Sequence, residues 1–272
     1  MVDANLQKKL NQLSGILQGF PFAAVAFSGG VDSTFLLKYA YGALKGRVVA
    51  VTAAAPSFAP SEMAEAASFC ASEGIRHIVV DLGGDFIDSF ADNPIDRCYI
   101  CKKNMLQRLL SLPELDGMAV FDGSNTDDAL DYRPGEKALL ELGVRSPLRE
   151  AGLSKEDVRA AARALGLSVW DKPAFACLAS RIPYGERITT GKLASIYALE
   201  KLLQENGLGQ VRVRHHGDVA RIEVLPDDRK KFFDTDFMDK INEAAKGAGF
   251  VYAALDLGGY KMGNMNMSTK NV

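Results

Sequence analysis

Apolar and polar positions alternate along the first half of the chain in two distinct periods. Leu6, Leu10, Leu13 and Leu17 fall on one stripe of an amphipathic helix. Short continuous apolar runs follow at 22–27 (FAAVAF), 48–55 (VVAVTAAA), 77–82 (HIVVDL) and 118–122 (MAVFD), each reading as a buried strand. Helical spacing fills the gaps: 33–42, then 60–74 with Ala64, Ala67 and Ala71 on one side, then 100–112 with Met105, Leu106, Leu109 and Leu110 apolar. Strands that are apolar throughout and alternate with helices predict a parallel sheet covered on both faces, an α/β fold. A further helix over 153–166 opens with Ser154 and carries Asp157 three residues on, like a capping box.

The pattern changes after Pro183. A helix over 191–205 precedes strands at 210–216 and 219–225 that turn at Gly217-Asp218, then a helix over 228–246 and a strand over 251–257. In the hairpin, Val211 and Val213 alternate with Arg212 and Arg214, as in a half-exposed antiparallel sheet. These shifts predict two domains, 1–183 and a smaller α+β domain over 184–272, with a polar tail from 263 expected to fray.

Composition narrows the class. With 272 residues, 47% hydrophobic and 24% charged, the chain is an ordinary globular protein able to bury a large core. A net charge of -2 argues against extensive nucleic-acid binding, which needs a basic face. No apolar run approaches a membrane span, and the start lacks the basic and apolar regions of a signal peptide, so a cytoplasmic location is expected. Four cysteines do not suggest a disulfide scaffold; metal or catalytic use fits a reducing compartment.

The chemistry concentrates at Ser28-Gly29-Gly30-Val31-Asp32-Ser33, between the first strand and its helix. Strand, glycine turn and helix start together form a phosphate cradle: the glycines let the backbone approach an anion, and first-turn N–H groups and the helix dipole favour its charge. Ser28 and Ser33 add hydroxyl donors. Asp32 would repel phosphate unless a divalent cation such as Mg²⁺ bridges the two. The plainer alternative is a Ser/Gly turn with Asp32 as a helix cap.

Cys98 and Cys101 form a C-x-x-C at a helix start, and Cys177 stands far along the chain. A structural zinc site wants four ligands, and no second pair or nearby histidine supplies them. Three thiolates from two segments suit a [4Fe-4S] cluster with one iron left open. The alternative is three unconnected cysteines, and Cys70, beside Phe69 in a helix, reads as a small core residue. Trp170 reads as a core anchor or a ring-stacking platform.

The SGGVDS segment resembles the pyrophosphate loop of the ATP pyrophosphatase superfamily, whose members include NAD synthetase, GMP synthetase and tRNA-thiolating enzymes. It is not a Walker A loop, since no Gly-Lys-Ser/Thr follows. The resemblance implies ATP as cofactor and an adenine-nucleotide alpha-hydrolase-like, Rossmann-like fold. Residues 122–128 (DGSNTDD), 131–135 (DYRPG), 180–185 (SRIPYG), Glu200 and 212–223 (RVRHHGDVARIE) resemble the signatures of the LarE family, and the similarity runs to 256–260 (DLGGY). That resemblance implies adenylation of a carboxylate of pyridinium-3,5-biscarboxylic acid mononucleotide and replacement of oxygen by sulfur, in making a nickel-pincer nucleotide cofactor. In one branch of the family a single cysteine gives up its sulfur, and Cys177 matches that position. With Cys98 and Cys101 as well, this chain resembles the branch in which three cysteines hold a [4Fe-4S] cluster and the sulfur is delivered catalytically, a sulfide donor being a candidate partner. The family also implies a homo-oligomer, a hexamer.

Candidate roles follow. Ser28, Gly29, Gly30, Asp32, Ser33 and Arg133 would bind ATP and pyrophosphate. Arg212 and Arg214 would hold the substrate phosphate with guanidinium forks, the alternative being a solvated strand face. Cys177, Asp32, Arg181 and Glu200 would act at the reaction centre. Arg133 and Arg181 would neutralise pyrophosphate or the substrate carboxylate. Asp127, Asp128, Asp131 and Glu200 are metal or general-base candidates, or in the case of the aspartates ordinary turn residues. Two competing readings are an amide-forming or tRNA-thiolating member of the superfamily and a non-catalytic nucleotide-binding module with structural zinc.

Overall fold

A computed structural model describes residues 3–130, 135–173 and 176–261, so Asp131, Arg133 and the tail from 263 lie outside the described residues. The chain divides into two compact units, one of Met1–Ser89 and Asp96–Phe175, the other of Phe90–Ile95 and Ala176–Val272. Among the described residues no helix is long and apolar enough to cross a membrane.

The first unit holds strands β1 (Ala23–Ala26), β2 (Val48–Ala54), β3 (His77–Asp81) and β4 (Ala119–Phe121), all parallel, in the order β3-β2-β1-β4. Helices α1 (Ala4–Gln18), α2 (Val31–Ala43), α3 (Pro60–Glu73), α4 (Arg97–Leu110), α5 (Gly135–Glu141), α6 (Pro147–Glu150) and α7 (Lys155–Ala164) surround it. Successive strand residues point to opposite faces, and both faces are buried. Ala23, Val25 and Ala50 pack with the α1 leucines, with Phe35 and Leu36 of α2 and with Val158 of α7. Ala24, Val49 and Val51 pack with Leu106 and Leu109 of α4 and Leu139 of α5. This is the predicted α/β layer arrangement.

Local chemistry sets the element ends. The capping box of α7 forms as expected: the Ser154 hydroxyl accepts from the Asp157 N–H, and the Asp157 carboxylate accepts from the Ser154 N–H. Helix α4 begins three residues earlier than its apolar pattern suggests and so takes Cys98 and Cys101 into its first turns. In α3 the alanine side, Ala64, Ala67 and Ala71, faces outward; Ala66 and Cys70 are buried. Alanine contributes little burial energy, so the larger side chains on the Ala66–Cys70 side orient the helix. Short helices α5 and α6 have too few turns to show a period.

The second unit contains α8 (Thr190–Glu205), β5 (Val211–His216), β6 (Val219–Val224), α9 (Thr235–Gly247) and β7 (Tyr252–Leu255). Strands β5 and β6 are antiparallel around Gly217-Asp218, and β7 joins β6 in parallel. The helix expected over 228–246 is interrupted: a 3-10 stretch, Pro226–Phe233, ends at Asp234, whose carboxylate then accepts from the N–H groups of Asp236 and Phe237 and starts α9. The half-exposed hairpin is also corrected. Val211 to Arg214 are all buried, the arginine face included.

Candidate active site

Strand order reverses about β1, with β2 on one side and β4 on the other, and ligands of such sheets bind at the carboxyl ends beside that point. Both loops leaving β1 and β4 there carry the singled-out residues. After β1 the chain turns at Gly29 (φ 72°), a left-handed backbone that favours glycine. Gly30 caps α2 without a side chain, so no cap side chain covers the first-turn N–H groups. Inside the loop the Ser28 and Ser33 hydroxyls lie 3.1 Å apart, Gly30 N–H donates to the Ser28 hydroxyl at 3.3 Å, and the Ser33 hydroxyl donates to the Gly30 carbonyl at 3.2 Å.

The β4 loop closes on this turn. A side chain on Gly123 would stand 2.9 Å from the Ser33 nitrogen and 3.2 Å from the Asp32 carbonyl carbon, so only glycine fits. Asn125 donates to Asp32 at 3.3 Å. The aspartates of 122–128 divide in role. Asp127 accepts from the Lys155 N–H at 3.1 Å, and Asp128 accepts from the Asn125 N–H at 3.0 Å. Asp122 is buried and pairs with Lys102 at 3.0 Å, while the Ser146 and Ser124 hydroxyls donate to it at 2.6 and 2.7 Å. Burial alone would raise its pKa; the Lys102 charge and the two hydroxyls outweigh that and hold the carboxyl below the usual range.

Two cations that sequence reasoning missed stand at the loop. Lys155, the first residue of α7, forms an ion pair with Asp32. Lys172 donates to the Gly29 carbonyl at 3.2 Å and pairs with Glu65 at 2.5 Å. Their signal in sequence is weak, since a lysine at a helix start or after a loop reads as solvated surface.

Cys98 and Cys101 sit three residues apart at the start of α4, Cys98 exposed and Cys101 half-buried. The next residue, Lys102, ties this helix to Asp122 at the end of β4, so the cysteine pair is anchored to the same sheet edge as the Ser28–Ser33 turn. Cys70 is buried in the core, and burial pushes its thiol up to about 11. Trp170 packs partly buried against the main core, with the Arg163 guanidinium 4.7 Å from its ring.

In the second unit Cys177 is half-buried and precedes a 3-10 turn, Leu178–Arg181. Arg181 is 1% exposed. It grips Glu200 with two bonds of 2.9 Å and donates to the carbonyls of Ala176 at 2.6 Å and Cys177 at 3.1 Å. Glu200 also accepts from the Val213 N–H at 2.9 Å. Arg214 pairs with Glu223 at 2.8 Å and donates to the Ser180 carbonyl at 2.9 Å. Arg212 donates to the Val211 carbonyl at 2.8 Å and lies 5.2 Å from the Tyr260 ring centre. Burial, with the like charge of Arg181, lowers the Arg212 pKa. Among the described residues of this unit, Arg181, Arg212 and Arg214 are buried together with two buried carboxylates, Glu200 and Glu223. Within neither unit do the described residues gather three or more His, Cys, Asp or Glu side chains as a metal-binding set.

No family model matches the chain. It is 41% identical over 262 residues, 96% of this chain and 98% of the relative, to an uncharacterized protein of Synechocystis sp.. It is 31% identical over 176 residues, 64% of this chain and 68% of the relative, to an uncharacterized protein of Methanocaldococcus jannaschii. It is also 41% identical over 267 residues, 97% of this chain and 95% of the relative, to the pyridinium-3,5-bisthiocarboxylic acid mononucleotide synthase of Lactiplantibacillus plantarum. Near full-length identity of this degree places the chain in the family of that synthase, the LarE family.

Proposed function

We propose that this protein is an ATP-dependent sulfur transferase that converts carboxylates of pyridinium-3,5-biscarboxylic acid mononucleotide into thiocarboxylates, in nickel-pincer nucleotide cofactor biosynthesis. The observation that carries this is 41% identity over 97% of the chain to a synthase of the bisthiocarboxylate. The phosphate loop at the sheet edge supports it from the chemistry. A carboxylate oxygen is a poor leaving group. Its attack on the α-phosphorus of ATP breaks the α–β bond, releases pyrophosphate and leaves an acyl adenylate. Sulfur then adds to the acyl carbon, and AMP departs with the C–O bond.

The loop residues Ser28, Gly29, Gly30 and Ser33 bind the departing pyrophosphate, with Arg133 assisting. Asp32, a half-buried carboxylate at a helix start, is a hard oxygen donor of the kind that shares Mg²⁺ with phosphates. Arg212 and Arg214 hold the substrate phosphate; both are buried, which sets aside the solvated strand face. Arg181, fixed by Glu200, acts as a positioning residue: its bonds to the Ala176 and Cys177 carbonyls set the backbone from which the Cys177 thiol projects.

Cys98, Cys101 and Cys177 would hold a [4Fe-4S] cluster. Two thiols one helical turn apart at the start of a helix are soft donors of the kind that would ligate iron. Such a cluster would supply the iron chemistry for delivering sulfur from an external donor. We place the protein in the cytoplasm as a homo-oligomer, a hexamer. The test is substrate-dependent release of AMP and pyrophosphate in equal amounts: ADP and phosphate instead, or release of neither in the presence of the pyridinium nucleotide, overturns the reading.

A further inference from the structure

We infer that Lys155 is the resident counter-ion of the phosphate loop: it is exchanged at Asp32 for the divalent cation that arrives with the nucleotide, and then holds the departing pyrophosphate. This rests on reading the loop as a triphosphate site. The SGGVDS segment carries a carboxylate and no Lys or Arg of its own. The cations at it come from elsewhere in the fold, and two are found there among the described residues. They differ in how they are held. The Lys172 ammonium is anchored by Glu65, outside the loop, at 2.5 Å. The Lys155 ammonium is held by Asp32 itself, the oxygen donor a bridging metal would use.

The root of Lys155 is fixed. Its N–H is bonded to Asp127 at 3.1 Å, and it follows the Ser154 capping box directly. Its four-carbon stem keeps rotamer freedom, so the ammonium can move while the backbone stays. The other Asp32 oxygen accepts from Asn125 at 3.3 Å, which holds the carboxylate in place whichever cation it faces. An ammonium and a divalent cation repel each other and compete for one carboxylate oxygen. Once the metal takes Asp32, the ammonium is released beside the phosphates, where a charge-assisted bond to pyrophosphate replaces the one it lost. In the empty loop the same pair prevents an unneutralised carboxylate from repelling the incoming triphosphate.

The exchange predicts opposite effects of one substitution on two ligands. Mn²⁺ alone is titrated into nucleotide-free wild type, Lys155→Met and Lys155→Arg by electron paramagnetic resonance, and Mg²⁺-pyrophosphate binding is measured by calorimetry. Lys155→Met binds Mn²⁺ roughly threefold more tightly, the equivalent of a surface ion pair removed. It binds Mg²⁺-pyrophosphate about tenfold more weakly, the equivalent of one charge-assisted bond. Lys155→Arg restores the pyrophosphate affinity. Unchanged Mn²⁺ affinity, or unchanged pyrophosphate affinity, in Lys155→Met overturns the exchange while leaving the loop reading intact. Wild-type protein that binds neither Mg²⁺-pyrophosphate nor ATP overturns the loop reading itself.

Discussion

Gly123 has no room for a side chain, because a Cβ there would meet the backbone nitrogen of Ser33 at 2.9 Å. Gly123→Ala therefore pushes the β4 loop off the phosphate loop, and ATP affinity measured by calorimetry falls by about tenfold or more. Thiol reactivity sorts by burial at the same scale. Cys70, pushed up to about 11, stays as thiol at neutral pH and is buried, whereas Cys98 is exposed. Iodoacetamide followed by peptide mass spectrometry should find Cys98 modified and Cys70 intact in folded protein freed of iron by a chelator; equal labelling contradicts the burial argument. The residues legible in sequence were those whose neighbours in the chain carry the signal, such as Ser28 to Ser33. Lys155 and Lys172 were not, because each acts on an atom more than a hundred residues away. The alternation of Arg212 and Arg214 was legible, but their burial was not: it depends on Glu223, brought opposite by the hairpin register.

Element ends decide where these residues stand. Helix α7 presents Lys155 because Ser154 caps it, and Ser154→Ala should cost about 1 kcal/mol in urea denaturation. Lys102 on α4 and Asp122 at the end of β4 lock the cysteine helix to the sheet edge. The Asp122 pKa is depressed in the folded protein, so its contribution to stability is complete above the ordinary carboxylate pKa, near 4, and is lost as pH falls through the depressed folded value. Asp122→Asn should cost about 3 kcal/mol at neutral pH, since Lys102 loses a buried partner, and should flatten the decline in urea midpoint on acidification. An equally steep decline in the variant contradicts the assignment. The strands of the first half were legible as continuous apolar runs, and its long helices because each repeats its period several times. The outward alanine side of α3 was not, because alanine carries too little hydrophobic weight to orient a helix. The Asp234 break in the expected 228–246 helix was marked locally by a cap residue that a continuous apolar pattern concealed.

Across the whole molecule the LarE-type motifs run through nearly the full chain, and the match to the synthase covers 97% of it, while the α/β layer order belongs to the first unit. How sulfur arrives is the property least legible in the sequence, because Cys98 and Cys101 stand far from Cys177 along the chain. If they hold a cluster, anaerobically purified protein contains iron and acid-labile sulfide, and Cys101→Ala loses most of both; equal content in the variant removes Cys101 from the ligand set. The most direct measurement is mass spectrometry of nucleotide and protein together after turnover with MgATP, sulfide and pyridinium-3,5-biscarboxylic acid mononucleotide under anaerobic conditions. The account predicts a pyridinium nucleotide with carboxylate oxygen replaced by sulfur, one AMP and one pyrophosphate per sulfur, and a protein that retains the Cys177 sulfur. A nucleotide recovered with all its carboxylate oxygens, while ATP is consumed, would contradict it.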